Sequence, residues 1–330
     1  MADRTDDGVA ALTPLIFIHD AAIDDFVATL LLLGMPQYDL WGVVIANADC
    51  IPQAGIDVAS RVAQFMGQPN LPIGLSAARG WNPFPWPYRG DCVRLAAIPS
   101  LAPFRSTVPT PPPSGDEVLA GLLYKASQAK TPVTILLTTG FTPLMAVLDQ
   151  QPELEAAIGQ VAWMGGALDV PGNLDPKTID PSVANTTAEW NVFWDPFAAD
   201  RALGRLRDVK VFPLDITNTA SITAQLMAQL QRQGAAGDSF SQFAFEAYGL
   251  VSDEPFYDMW NVTSAVWLDA PQVYAAPETT ALQVTQWGFE QGQLLRAPSG
   301  SKRPPQEAYL SFADRAGFYS YVAKGLARSS

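Results

Sequence analysis

The sequence predicts an α/β fold: a mainly parallel central sheet with helices on both faces, a Rossmann-like core. Three observations predict it. Short, continuous apolar runs such as 15–18 (LIFI) and 40–45 (LWGVVI) alternate with longer helical segments, the pattern of strands covered on both faces. Polar clusters follow several of these runs directly, where open α/β sheets carry their ligands. Apolar residues make up 48% of the 330 and charged residues 16%, enough for a core shared by two helical layers. Residues 14–330 read as a single unit, and 1–13 as a disordered N-terminal extension.

Taken in order, the run at 15–18 is a strand, the polar HDAAIDD after it a loop, and FVATLLLLGM a helix. The run at 40–45 is a second strand closed by Asn47-Ala48-Asp49, 56–66 a helix, and 71–75 a short third strand. Residues 80–113 are rich in proline, with Trp81, Trp86 and Tyr88 interleaved and little periodicity; they read as a long functional loop. Ser114 to Glu117 has the form of a capping box before a helix to about 128. Strands follow at 132–137, 160–164 and 209–212, with a helix at 142–149 and a second irregular stretch at 165–194. Helices are expected at 222–233, 240–250 and 261–269, a strand or hairpin at 272–285, and a closing amphipathic helix at 312–327.

Charge and composition exclude whole classes. With 20 Lys+Arg against 33 Asp+Glu the net charge is −13, and no basic run exists to neutralise phosphates, so neither nucleic acid nor an anionic membrane is an expected partner. Cys50 and Cys92 are the only 2 cysteines and His19 the 1 histidine. This excludes a disulfide framework and a Cys- or His-rich zinc site. No apolar run approaches a membrane span, and no basic leader precedes one, so a cytoplasmic location is expected. Phosphate loops and dinucleotide fingerprints are absent, and no serine elbow accompanies His19.

Asp20, Asp24 and Asp25 crowd one strand-to-helix junction. Such carboxylates repel unless a helix N-terminus or a hard divalent cation compensates them. The same residues also suit a turn, an N-cap and a first-turn acid, and both readings stay open from the loop alone.

The loop His19-Asp20-Ala21-Ala22-Ile23-Asp24-Asp25-Phe26 resembles the D-x-D-x-x-x-D-D signature of the nucleoside hydrolases. Further segments match in family order: Asn47-Ala48-Asp49-Cys50, Asn82-Pro83-Phe84-Pro85, Thr139-Gly140, Met164-Gly165-Gly166-Ala167 with Gly172-Asn173, Thr187 to Asn191 with Asp195-Pro196, Leu214-Asp215 and Trp260-Asn261. Asn82-Pro83-Phe84-Pro85 resembles a segment of the purine-specific, inosine-adenosine-guanosine-preferring branch. The resemblance implies hydrolysis of the N-glycosidic bond of purine ribonucleosides in purine salvage, by a homo-oligomer, with a dimer favoured. It implies Ca2+ held by Asp20, Asp25, the Thr139 carbonyl and Asn261, with Asp20 as general base toward a calcium-bound water. Asp24, Asn173, Glu189 and Asn191 would meet the ribose, with Asn191 also favouring the transition state. Asp49, Asn82, Trp86, Tyr88, Met164 and Trp260 would contact the remainder of the substrate, the aromatic rings stacking on the base.

The chain departs from the family pattern where Ile18 replaces the first aspartate, Ala21-Ala22 the usual Gly-Asn, Asn47 a common aspartate, and Asn261 the calcium-ligating aspartate. Asn261 keeps one ligand oxygen but removes a charge. The alternatives are a hydrolase of a modified or different N-ribosyl substrate, or a nucleoside-binding protein with a degraded metal site.

Overall fold

The computed structural model describes residues 12–84, 88–174, 185–254 and 256–328. Most of the expected N-terminal extension, Trp86, Pro85 of the Asn82-Pro83-Phe84-Pro85 segment, and residues 175–184 lie outside the described residues.

The chain alternates strand and helix through its first two thirds: β1 (Thr13–His19), α1 (Ile23–Leu32), β2 (Tyr38–Ile45), α2 (Pro52–Phe65), β3 (Ile73–Leu75), α3 (Asp91–Leu95), α4 (Gly115–Ala129), β4 (Val133–Leu137), α5 (Thr142–Gln150), β5 (Ile158–Met164), α6 (Trp190–Trp194), α7 (Pro196–Arg205) and β6 (Val209–Phe212). Helices α8 (Leu214–Thr217), α9 (Ala224–Ala235), α10 (Ser239–Gly249) and α11 (Trp260–Trp267) follow, then β7 (Glu278–Val284), β8 (Leu294–Arg296), β9 (Pro305–Ala308) and α12 (Arg315–Gly325). The strands form one 9-stranded sheet in the order β3-β2-β1-β4-β5-β6-β9-β7-β8. Pairings from β3 through β9 are parallel, and β7 runs antiparallel to both of its neighbours.

Alternation along β1 divides the core, because successive side chains leave opposite faces of a strand. Leu15 and Phe17 join α1, α10 and α11 through Phe26, Phe243 and Val262 on one face. Ile16 and Ile18 join α4, α5 and α7 through Leu123, Leu144 and Leu203 on the other. Each fully buried side chain of this size contributes about 1.5–3 kcal/mol. The strand order reverses between β1 and β4, so the crevice beyond their carboxyl ends is the natural ligand position.

Four expectations need correction. The loop at 80–113 contains α3, which forms because Cys92 and Leu95 are buried in the core beside Ile98 and Leu101. The stretch at 165–194 ends in α6, capped by the Glu189 side chain. The segment expected as a strand or hairpin over 272–285 holds one strand, β7, which starts only at Glu278, and its antiparallel partner β8 lies beyond that range. The closing helix starts at Arg315 rather than 312, where Asp314 caps it by accepting from Gly317 N–H at 2.8 Å. Strand β9 went unforeseen: its Gln306 is buried, accepts from Val209 N–H at 2.9 Å and donates to the Leu206 carbonyl at 2.7 Å.

Candidate active site

A cavity of about 600 Å³ opens beyond the carboxyl ends of β1, β2, β4 and β5. Asp20, Asp49, Thr138 and Met164, each just past or at the end of one of these strands, line it together. The polar clusters after four separate strands therefore share one crevice, as the parallel topology requires.

The turn from β1 to α1 is tight. Ala21 adopts φ +64, a left-handed conformation that glycine enters more easily, and its N–H donates to His19 Nδ1 at 3.1 Å. The ring of His19 stacks on Phe17 at 4.5 Å and meets Phe26 edge-on at 5.4 Å. Burial lowers its pKa to about 3, against the smaller opposing effect of Asp20. It is a neutral structural residue.

The three acids of this turn have separate fates. Asp20 faces the cavity, and burial, reinforced by the neighbouring charge of Asp25, raises its pKa well above the ordinary value. Asp25 lies behind it: Oδ1 accepts from Thr138 Oγ1 at 2.6 Å and Asn261 Nδ2 at 2.7 Å, and Oδ2 from Ala22 N–H at 3.0 Å. Burial pushes it up to about 7, against these hydrogen bonds. Asp24 is a correction to the expected sugar contact. Its carboxylate accepts from Tyr248 Oη at 2.7 Å and from the Asn261 and Val262 N–H groups at 2.6 and 2.9 Å. It holds the first turn of α11 and does not line the cavity.

Glu189 and Asn191 line the same cavity. Glu189 accepts from the N–H groups of Gly166, Asn191 and Val192 at 3.0, 2.9 and 3.3 Å, and burial raises it to about 7. Asn191 Nδ2 donates to the Met164 carbonyl at 3.1 Å, and Asn173 Oδ1 accepts from Trp190 N–H at 3.1 Å. These bonds fix the side chains before any ligand arrives. Asp215 braces the loop after β5 by accepting from Leu168 and Asp169 N–H at 2.9 and 2.8 Å.

Aromatic rings form much of the remaining lining. Phe84 packs against Trp190 at 5.0 Å, Tyr257 against Trp260 at 4.8 Å, and Tyr88 meets Phe256 edge-on at 6.4 Å. Trp260 Nε1 donates to Asn218 Oδ1 at 3.0 Å. Of the residues singled out from sequence, Asp20, Asp49, Tyr88, Met164, Asn173, Glu189, Asn191, Trp260 and Asn261 share the cavity. Asn82 does not: its amide is spent on the Phe193 carbonyl at 2.7 Å and Gln291 Oε1 at 3.0 Å. Thr139 also stays outside the lining, its carbonyl accepting from Trp163 Nε1 at 3.1 Å. Sequence reasoning passed over Asp91, Asn218, Glu254, Phe256 and Tyr257 as lining residues. The run Glu254 to Asn261, dense in acids and rings, carried a signal for the last three; nothing local marks Asp91 or Asn218.

The floor fits a hard divalent cation in donor chemistry. Asp20, Asp25 and the Asn261 amide offer oxygen donors, while the Thr139 carbonyl, outside the lining and bonded to Trp163 Nε1, keeps only its second lone pair for an ion. Buried Asp20 and Asp25 form no ion pair with lysine or arginine among the described residues. No group of three or more acidic, histidine or cysteine side chains forms a ready cage there among the described residues. The place of a third carboxylate is taken by Asn261, whose amide nitrogen is turned to Asp25.

Residues 15–320 match the family described as inosine-uridine preferring nucleoside hydrolase. The chain is 25% identical to the pyrimidine-specific ribonucleoside hydrolase RihA of Salmonella agona, over 95% of this chain and 98% of that one. The Citrobacter koseri protein of the same name is also 25% identical, with the same coverage. Among solved structures, an inosine-uridine preferring nucleoside hydrolase from Bacillus anthracis superposes with a TM-score of 0.83 at 25% identity, covering 96% of this chain and 99% of that one. A purine-preferring ribonucleoside hydrolase from Gardnerella vaginalis shares the fold, with a TM-score of 0.74 at 18% identity over 96% and 99% of the two chains. Among the described residues no helix is long and apolar enough to cross a membrane.

Proposed function

Because the chain belongs to the inosine-uridine preferring nucleoside hydrolase family, we propose that it hydrolyses the N-glycosidic bond of purine ribonucleosides, with Asp20 as general base. One observation carries the reading: Asp20, Asn173, Glu189 and Asn191 line one cavity of about 600 Å³ together with the rings of Phe84, Tyr88, Trp190, Tyr257 and Trp260. The polar set suits a ribose and the rings suit a flat base.

Asp20 takes the proton from the water that attacks C1′, a role favoured by its burial and raised pKa. Glu189 and Asn191 orient the sugar hydroxyls and stabilise the positive charge that grows on the ring. Asp25 positions Asp20 and the floor through Thr138 and Asn261. A hard divalent cation, calcium by donor type, would be held by Asp20, Asp25, Thr139 and Asn261. When bound, it orients the ribose diol and acidifies water.

The test is release of free ribose from inosine, adenosine, guanosine, cytidine and uridine, with added calcium and after chelation. Calcium-dependent release from the purines is the expected result. A second reading, pyrimidine preference, is favoured by the pyrimidine-specific relatives at 25% identity; release from uridine and cytidine alone would establish it instead.

A further inference from the structure

We propose that the preferred substrate of this site is an N-ribosyl compound whose base carries a positive charge, a pyridinium or an N7-alkylated purinium. This rests on the hydrolase reading above and names the substrate class within it. Asp20, Asp49, Asp91, Glu189, Glu254 and Asp258 all line the cavity, and among the described residues no lysine, arginine or histidine does.

The acids are not confined to the floor. Asp20 and Glu189 stand where the ribose binds in the hydrolase reading, whereas Asp91, Glu254 and Asp258 accompany the rings of Tyr88, Phe256, Tyr257 and Trp260. Arg94 bridges Asp91 at 3.1 Å and Glu254 at 3.3 Å, offsetting one charge. Asp258 forms no ion pair among the described residues. Asp49 lines the cavity as well, its Oδ1 shut off from solvent with no hydrogen-bond partner and its charge partly offset by Arg89. Electron-rich ring faces beside carboxylates attract a flat cation, the more strongly as it desolvates.

The chemistry of departure points the same way. A neutral base must gain a proton as its C1′–N bond breaks. The single histidine of the chain is packed between Phe17 and Phe26 and does not line the cavity. A pyridinium or purinium leaves as a neutral molecule. Water oxygen bonds to C1′, the C1′–N pair returns to the ring nitrogen, and the water proton passes to Asp20. The products are ribose, the neutral base and one proton, with no oxidant or co-reactant.

The experiment measures kcat/KM for nicotinamide riboside and 7-methylguanosine against inosine, guanosine and uridine, following free ribose and free base. The cationic substrates should exceed the neutral ones by about tenfold or more, the scale of a cation–π contact with a partly screened carboxylate. Their KM should rise with salt, while that of the neutral substrates stays level. Asp258→Asn should lower the cationic-to-neutral ratio of kcat/KM about tenfold. Glu254→Gln, at the more exposed rim, provides the same readout should Asp258→Asn fail to fold. Turnover of neutral nucleosides with no preference for either cation overturns this inference and leaves the hydrolase reading standing. Absence of ribose from every substrate overturns both. Preference for only one cation supports the charge requirement and assigns the ring.

Discussion

Replacing Thr138 with valine removes one hydroxyl and little volume from a side chain that is almost wholly buried. That hydroxyl donates to Asp25 Oδ1 at 2.6 Å. The carboxyl of Asp25, pushed up to about 7 mainly by burial, is ionised at pH 8 and protonated at pH 5. A hydrogen bond to an ionised group is worth about 1.5–3 kcal/mol and a neutral one about 1 kcal/mol. Thr138→Val should therefore cost about 2 kcal/mol of unfolding free energy at pH 8 and about 1 kcal/mol at pH 5. The difference corresponds to a further rise of roughly 0.7 units in the Asp25 pKa. Urea unfolding at the two pH values, in chelator so that no cation contributes, measures both costs. The same substitution in an Asp25→Asn background should lose the pH dependence. An equal cost at both pH values, or a cost under about 0.5 kcal/mol, would show that the hydroxyl does not support the ionised carboxylate.

Asp20→Asn should lower turnover by at least about 100-fold, the lower bound for loss of a general base, with an unchanged circular dichroism spectrum; a wild-type rate would remove Asp20 from the chemistry. Asn261→Asp exchanges a donor to Asp25 for a third carboxylate, so it should tighten calcium binding in a calorimetric titration and destabilise the metal-free protein. Equal affinities would mean that position 261 does not coordinate. Glu189 is raised from 4.5 to about 7, chiefly by burial, so the folded state binds its proton more tightly than the unfolded chain. Its contribution to stability is full below about pH 4.5 and is lost as pH rises through about 7, at up to roughly 1.4 kcal/mol per pH unit. Chelated protein should unfold at lower urea at pH 8 than at pH 5, and Glu189→Gln should flatten the slope. A wild-type slope in Glu189→Gln would assign the dependence to other carboxyls.

The strands legible in the sequence were those whose burial is written into their own side chains. β1 and β4 are apolar on both faces and could be read directly. β9 (PQEA) could not, because its pairing rests on distant partners: Gln306 with Val209, and Glu307 with Lys210 at 3.0 Å. The crevice followed from topology, since residues after neighbouring parallel strands must converge. The orientation of each side chain did not. Asp24 and Asp25 are adjacent, and one residue of helix turns a carboxylate by about 100°, toward α11 in the first case and the floor in the second. A motif fixes which acids are present but not which of them meets a helix end. Tyr88 and Trp260 could be read as candidates from their setting, an aperiodic proline-rich loop and a motif position, whereas Asn82 shows the limit: its amide closes a loop onto Phe193 and Gln291.

The clamp between Asp24 and α11 joins residues 237 and 238 positions apart. Its consequence is temporal. A chain emerging from its N-terminus completes β1 and its three acids long before α11 exists, and until then those carboxylates remain hydrated. Their dehydration, and with it the assembly of the floor, awaits arrival of the last third of the polypeptide. A form lacking docked α11 could retain much of its sheet while having no site. Hydrogen exchange followed from both sides of the clamp should show the amides of Asn261 and Val262 opening together with the Ala22 amide bonded to Asp25.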